Sequence, residues 1–148
     1  MIVRELSKAE CLAALSANRV AKLACARDNR PYVVPLFYAY ADGWAYAFTM
    51  PGRKLDTMRT NPAVALLVEE ATAGGWRSVV AEGPFEELPD RIGFKHQREH
   101  AWALLSRHAD WWEPGALKPV RPPISDQSRH VFFRIHIETT SGREGVPE

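Results

Sequence analysis

A chain of 148 residues has room for one domain with a genuine core, and 46% hydrophobic against 25% charged residues is ordinary globular composition. The formal net charge of +1, from 19 basic and 18 acidic side chains, supplies no field to hold a polyanion and so removes electrostatic support for nucleic-acid binding. No apolar run approaches the roughly 20 residues of a membrane span and the N-terminus lacks the apolar core of a secretory signal, so the expectation is a soluble cytoplasmic protein with no membrane partner.

In chain order, Ser7 with Glu10 three residues later is a capping box, and it opens a helix that buries Cys11, Leu12 and Leu15 and ends near Asn18. Residues 20–26 are the first strand. Its Cys25 alternates with Leu23, and with only one other cysteine, Cys11, and no CxxC pair, both thiols read as reduced and buried. Asp28-Asn29-Arg30-Pro31 then turns the chain.

The stretch 31–54, PYVVPLFYAYADGWAYAFTMPGRK, organises the rest of the chain. Residues 32–41 form a strand, Asp42-Gly43 a hairpin turn and residues 44–49 the return strand. On the return strand Trp44, Tyr46 and Phe48 share one face while Ala45, Ala47 and Thr49 share the other. The bare alanine face can admit a flat ring or a neighbouring chain, and a close-packed core would use the same residues. Met50-Pro51-Gly52-Arg53-Lys54 leads into a short helix that Pro62 stops. That junction can hold a phosphate: Gly52 permits close backbone approach, a helix start presents unpaired N–H groups, Thr49 offers a hydroxyl, and Arg53 and Lys54 supply charge. An ordinary loop carrying two solvated cations uses the same residues.

Residues 63–69 are an apolar strand expected to be covered on both sides, and residues 76–88 are a long strand that Gly83-Pro84 must bend. Pro89-Asp90 starts a helix to about residue 108, with Trp102, Leu104 and Leu105 among its buried candidates. Residues 111–128 are proline-rich and irregular, pinned by Trp111 and Trp112, residues 130–139 close the sheet, and residues 141–148 fray. Four strands in succession with little helix between them indicate antiparallel β rather than βαβ, and a strand bent at its middle indicates a barrel of about six strands. No repeat or linker divides the chain, so residues 1–148 are one domain.

Two other patterns bear on chemistry. His96-Gln97-Arg98-Glu99-His100 has the H-x-x-E-H order of a zinc-peptidase class, yet the later carboxylates Glu113, Glu138 and Glu144 have no helix to aim them as a third ligand, so no metal is expected. The pairs Glu69-Glu70 and Glu86-Glu87 point to opposite faces of their strands and cannot act as paired carboxylates. G-x-S-x-G, Walker A and Rossmann glycine patterns do not occur.

The succession PYVVPLFY, FT, GRK, NPAVALLVEE and WRSVVAEGPFEEL, with the leading helix ELSKAECLAALSANRVAKLA and the closing FFRIHIETTSGRE, resembles the flavin-binding split-barrel family of pyridoxamine 5′-phosphate oxidase, most closely its nitroimidazole-resistance-like branch. The resemblance covers about residues 5–145. It implies a mostly β split barrel with flanking helices, FMN as cofactor, and a homodimer with two flavins at its interface. Carried over by position, Val33, Val34, Pro35 and Leu36 line the isoalloxazine ring, Phe48 and Thr49 meet the ring and ribityl chain, and Arg53 and Lys54 bind the flavin phosphate. Ser78 and Val79 fall where the partner subunit contributes. The late arginine-histidine signature by which the vitamin oxidases hold their substrate phosphate is missing from FFRIHIETTSGRE, so the expected activity is flavin-dependent redox chemistry on another small molecule, with no acid–base residue assigned. A binding protein for flavin, haem or a deazaflavin is the competing expectation.

Overall fold

Residues 32–41 do not form the single strand expected of them. In a computed structural model, which describes residues 1–107 and 130–148, the chain bends at Tyr38 and the segment becomes two strands in different sheets. Strand β3 (Arg30–Phe37) pairs with β2 (Val20–Arg27), whereas β4 (Ala39–Ala41) pairs with β5 (Trp44–Thr49). The pivot is buried. Tyr38 is wholly inaccessible, its N–H donates to the Arg19 carbonyl at 2.9 Å, and its hydroxyl donates to the Leu15 carbonyl at 2.7 Å. That carbonyl belongs to the last turn of α1 (Lys8–Ala17), where the helix cannot satisfy its own acceptors. Asn18 does the same for Ala14, and Arg19 for Ser16. At the other end of α1 the expected capping box is present: Ser7 Oγ accepts from the Glu10 N–H and the Glu10 carboxylate accepts from the Ser7 N–H.

The remaining elements are β1 (Ile2–Glu5), α2 (Arg53–Thr60), β6 (Ala63–Thr72), β7 (Gly75–Leu88), a short 3-10 turn (Ile92–Phe94), α3 (Lys95–Ser106), β8 (Val131–His136) and β9 (Thr139–Val146). Nine strands are therefore present among the described residues, more than the six expected, and every pairing is antiparallel. Strand order is β3-β2-β6-β7-β8-β5-β4, with β9 added between β7 and β1. The sheet can curl because β7 changes partners: residues 75–84 pair with β6, and residues 85–88 pair with β8. The switch falls at Gly83-Pro84, as expected. A Cβ at Gly83 would stand 1.5 Å from the His136 carbonyl oxygen, so only glycine lets the two sheets approach there. Among the described residues β3 and β4, consecutive in the chain, form the two unpaired ends of an open, split barrel.

Both faces of β5 are covered by the chain itself. Ala45 and Ala47 lie in the barrel interior with Leu23, Leu36, Leu66 and Phe133, so the alanine face is close-packed core and admits neither a ring nor a neighbour. Tyr46 and Phe48 point the other way, into a second cluster with Leu88, Phe132, Leu104 and Leu105 under α3. The expectation of a strand covered on both sides fails for β6: Val64, Leu66 and Val68 are buried, while Ala63 is exposed and Ala65 and Leu67 are half-exposed. The C-terminus does not fray, since β9 bonds to β7 on one side and to β1 on the other. The third helix begins later than expected, after the 3-10 turn, and Trp102 is half-buried where Leu105 is fully buried. The helix ends at Ser106, two residues before the expected end, and the irregular segment with Trp111 and Trp112 lies outside the described residues.

Candidate functional site

The edge of β3 opens one side of the site. Asp28 and Asn29 take positive φ angles of 53° and 61°, the two-residue turn that places Arg27 opposite Arg30 and sets the register of the hairpin. Pro31 and Pro35 pair with Ala26 and Lys22, and since proline has no N–H these are the non-hydrogen-bonded pairs of the ladder. The polar groups of Pro31, Val33 and Pro35 therefore point away from β2, toward the split. Among the described residues the Val33 N–H and the carbonyls of Pro31 and Pro35 have no backbone partner there. Side chains alternate: Val33, at 61% exposure, and Pro35 stand on the outward face, while Val34 packs against the core and Leu36 is part of it.

The other side of the site is the junction of β5 and α2. Thr49 is buried, and its hydroxyl donates to the Met50 carbonyl at 3.0 Å while keeping its acceptor capacity. Gly52 occupies the N-cap of α2 with no side-chain cap, and a Cβ there would meet nothing within 4 Å. The N-cap of α2 thus supplies no side-chain bond to the first-turn N–H groups, in contrast to the capping box of α1. Arg53 is exposed, with its guanidinium 4.1 Å from the centre of the Tyr32 ring, which ties the helix start to β3. Lys54 is buried at 8% exposure. Burial raises the Cys25 thiol above its ordinary range, and the positive charge of Lys54 and Arg53 opposes that rise. Cys25 is thus a buried thiol near the same helix start.

The other carried-over positions are more dispersed. Phe48 packs in the cluster under α3, with its ring 5.0 Å from that of His130. In β7, Ser78 is on the outward face and half-exposed, whereas Val79 is a core residue whose side chain reaches no surface. His96, Glu99 and His100 are exposed on α3, His100 edge-on to Tyr46, and no group of three metal-binding side chains converges among the described residues. The acidic pairs are spent on cations and amides: Glu69 on Lys22, Glu70 on Asn18, Glu86 on Arg134 and Glu87 on Arg59.

Two features of the surface were not anticipated. A polar recess of about 600 Å³ is lined by Arg27, Asp28, Arg30, Tyr32, Arg53 and Thr57. On the outward face of β2, β6 and β7 an apolar trough of about 680 Å³ runs over Ala24, Ala26, Ala63 and Ala65, with Pro31, Pro62 and Pro84 also in its lining. The alternation of alanine in ACA and AVA was the only sign of the trough in the sequence.

Comparison with known proteins agrees with this architecture. A sequence model described as pyridoxamine 5′-phosphate oxidase matches residues 7–144. An uncharacterized protein of Rhizobium meliloti strain 1021 is 46% identical over 144 residues, covering 97% of this chain and 95% of its own. The crystal structure of a FAD-binding protein from Mesorhizobium loti is 57% identical, covers 99% of this chain and 100% of its own, and superposes with a TM-score of 0.84. A 5-nitroimidazole antibiotic resistance protein from Bacteroides thetaiotaomicron shares the fold at 14% identity and a TM-score of 0.73, over 97% of this chain and 89% of its own. With its split barrel and nearly its whole length matched, the chain belongs to the pyridoxamine 5′-phosphate oxidase family.

Proposed function

We propose that this protein binds a flavin through its FMN portion and uses it for redox chemistry on a small molecule. The observation that carries the reading is the convergence, at one end of the split, of a free β3 edge, an uncapped helix start and the cations Arg53 and Lys54. An isoalloxazine edge has donors and acceptors for the Val33 N–H and the carbonyls of Pro31 and Pro35. The flavin phosphate suits the N–H groups of α2 and the adjacent charge. The bound flavin would supply electron or hydride transfer, and the chain's part is to hold, orient and shield it. The name of the Mesorhizobium loti protein supports a flavin.

A homodimer belongs to this proposal. The trough over Ala24, Ala26, Ala63 and Ala65 continues into half-exposed Leu67 and exposed Val80, an apolar sheet face that a second copy can cover, and Ser78 stands on the same face. Because the substrate-phosphate signature of the vitamin oxidases is missing, pyridoxamine phosphate is not the proposed substrate.

The test is the visible spectrum of the purified protein, with mass identification of the ligand released on denaturation. Two flavin bands and a flavin mass are expected. A Soret band, a deazaflavin mass or a colourless protein that takes up no added flavin would overturn the proposal.

A further inference from the structure

We propose that two copies of this chain pack face to face about a two-fold axis running along β6, so that Lys22 of each copy pairs with Glu82 of the other. The inference rests on the homodimer proposed above and specifies how its two copies meet. A symmetric dimer uses one patch twice, so the patch must complement itself when the axis exchanges its two halves. β6 is the middle strand of the apolar face, with β2 on one side and β7 on the other. An axis along β6 therefore lays β2 of one copy over β7 of the next.

The side chains at matching levels fit that exchange. In register, Lys22, Leu67 and Val80 lie at one level, and Ala24, Ala65 and Glu82 at the next. Lys22 and Glu82 are the two charges at these levels, opposite in sign and each one strand away from β6. Size is complementary as well as charge: exposed Glu82 falls opposite small Ala24, and exposed Val20 falls opposite Ser78. Ala65 and Leu67 lie on the axis, where each meets its own counterpart. Packed sheets stand about 10 Å apart and the two levels are roughly 7 Å apart along the strands, a span that extended lysine and glutamate side chains bridge. An axis across the strands would instead set β2 over β2 and β7 over β7, and the opposite charges would not meet.

Glu82 also lacks a cation within its own chain. Its carboxylate accepts from the Thr139 hydroxyl at 3.2 Å, and no ion pair among the described residues includes it. Lys22 bonds Glu69 at 3.2 Å with both side chains about half exposed, which leaves donors of the ammonium for a second carboxylate.

The experiment measures the dimer dissociation constant by sedimentation from nanomolar to micromolar concentration for the unaltered full chain, Lys22→Glu, Glu82→Lys and the double exchange. Symmetry repeats the pair, so each single reversal puts two like-charged pairs into the interface. Each is expected to weaken the dimer about tenfold or more, and the double exchange is expected to recover most of that loss. Both side chains are exposed and point away from the core, so the variants should keep the far-ultraviolet spectrum and thermal midpoint of the unaltered chain. Single reversals that dimerise as tightly as the unaltered chain, or a double exchange no tighter than the weaker single, overturn this arrangement and leave the homodimer standing. An unaltered chain that stays monomeric removes the homodimer, and this inference with it.

Discussion

The Arg53 guanidinium lies 4.1 Å over the Tyr32 ring and joins the start of α2 to the edge strand β3. Two elements separated by the whole β4–β5 hairpin are thereby held at one point, with a cation fixed where the uncapped helix needs an anion. If each charge-assisted bond to the phosphate contributes roughly 1.5 to 3 kcal/mol, removing one should weaken FMN binding about ten- to a hundredfold. Arg53→Ala with Lys54→Ala should leave FMN binding little better than riboflavin, which lacks the phosphate. Fluorescence titration with both ligands measures this. A double variant that still strongly prefers FMN would place the phosphate elsewhere.

Tyr38→Phe should lower stability without changing the fold. It deletes the hydroxyl that answers the Leu15 carbonyl in a site with no access to water, a loss of about 1 to 3 kcal/mol. For a chain of this size each kcal/mol corresponds to about 2 to 4 °C in the thermal midpoint. An unchanged midpoint would show that the corner between the two sheets is held by packing alone.

Stability should fall in acid between pH 4.5 and about 2. Arg4 donates to both Glu10 and Glu144 at 2.6 Å, and Arg77 donates to Glu144 at 2.9 Å, so β1, α1, β7 and β9 meet in one ion-pair network. The Arg4 bonds and the capping N–H of Ser7 hold the Glu10 carboxyl at about 2, against an ordinary 4.5. Arg77 and then Arg4 lower Glu144 as well. A carboxylate whose folded pKa is depressed stabilises fully above its unfolded pKa and loses that contribution as the pH drops through the folded value. Thermal midpoints followed from about pH 7 to pH 2 should therefore decline below about 4.5, and Glu144→Gln should flatten the decline. An equally steep decline in that variant would assign acid sensitivity to other groups.

Some of this architecture can be read from local chemistry and some cannot. The capping box of Ser7 and Glu10, the Asp42-Gly43 turn and the kink at Gly83-Pro84 are each written in adjacent residues, so the sequence announces them. The division at Tyr38 is not, because PYVVPLFYAYA has strand character throughout and the break comes from the tertiary bond to Leu15. β9 was invisible for the opposite reason. TTSGREGV carries a single large apolar residue, and it becomes a strand because β7 and β1 bond it from both sides. Its glycines serve close approach: a Cβ at Gly145 would fall 2.6 Å from the Trp76 indole nitrogen. Within the site, Gly52-Arg53-Lys54 was legible as a contiguous motif, whereas the arginine recess exists only because the β2–β3 turn folds against α2.

Gly83→Ala should be among the most damaging single changes in the chain. The added methyl would stand 1.5 Å from the His136 carbonyl oxygen, and the obstacle is backbone that cannot rotate away. β7 would have to separate from β8 at the point where it changes sheets, which also carries the bonds from Phe85 to Pro62 and from Glu138 to Glu82. Loss of soluble protein, or a fall of more than about 4 kcal/mol in denaturant unfolding, is expected. A variant of near-normal stability would mean that the sheets can part there.

The outward face of β2 and β6 should govern self-association. In register, Val33, Ala24, Ala65 and Glu82 form one row across four strands, and Pro35, Lys22, Leu67 and Val80 form the next. These rows have a smooth apolar middle, with charge only at Lys22 and Glu82, and Ala65 lies near its centre with room above it. A second protomer that packs here needs the small side chain. Ala65→Arg would add a long cation to the middle of the face and leave the barrel interior untouched, because Val64 and Leu66 are the residues that point inward. Sedimentation of the unaltered protein at micromolar concentration should give twice the 16.7 kDa chain mass, and Ala65→Arg should shift it to the monomer with a folded far-ultraviolet spectrum. Unaltered protein that sediments only as a monomer would remove the homodimer from the proposed function. A variant that stays dimeric would move the interface to another surface.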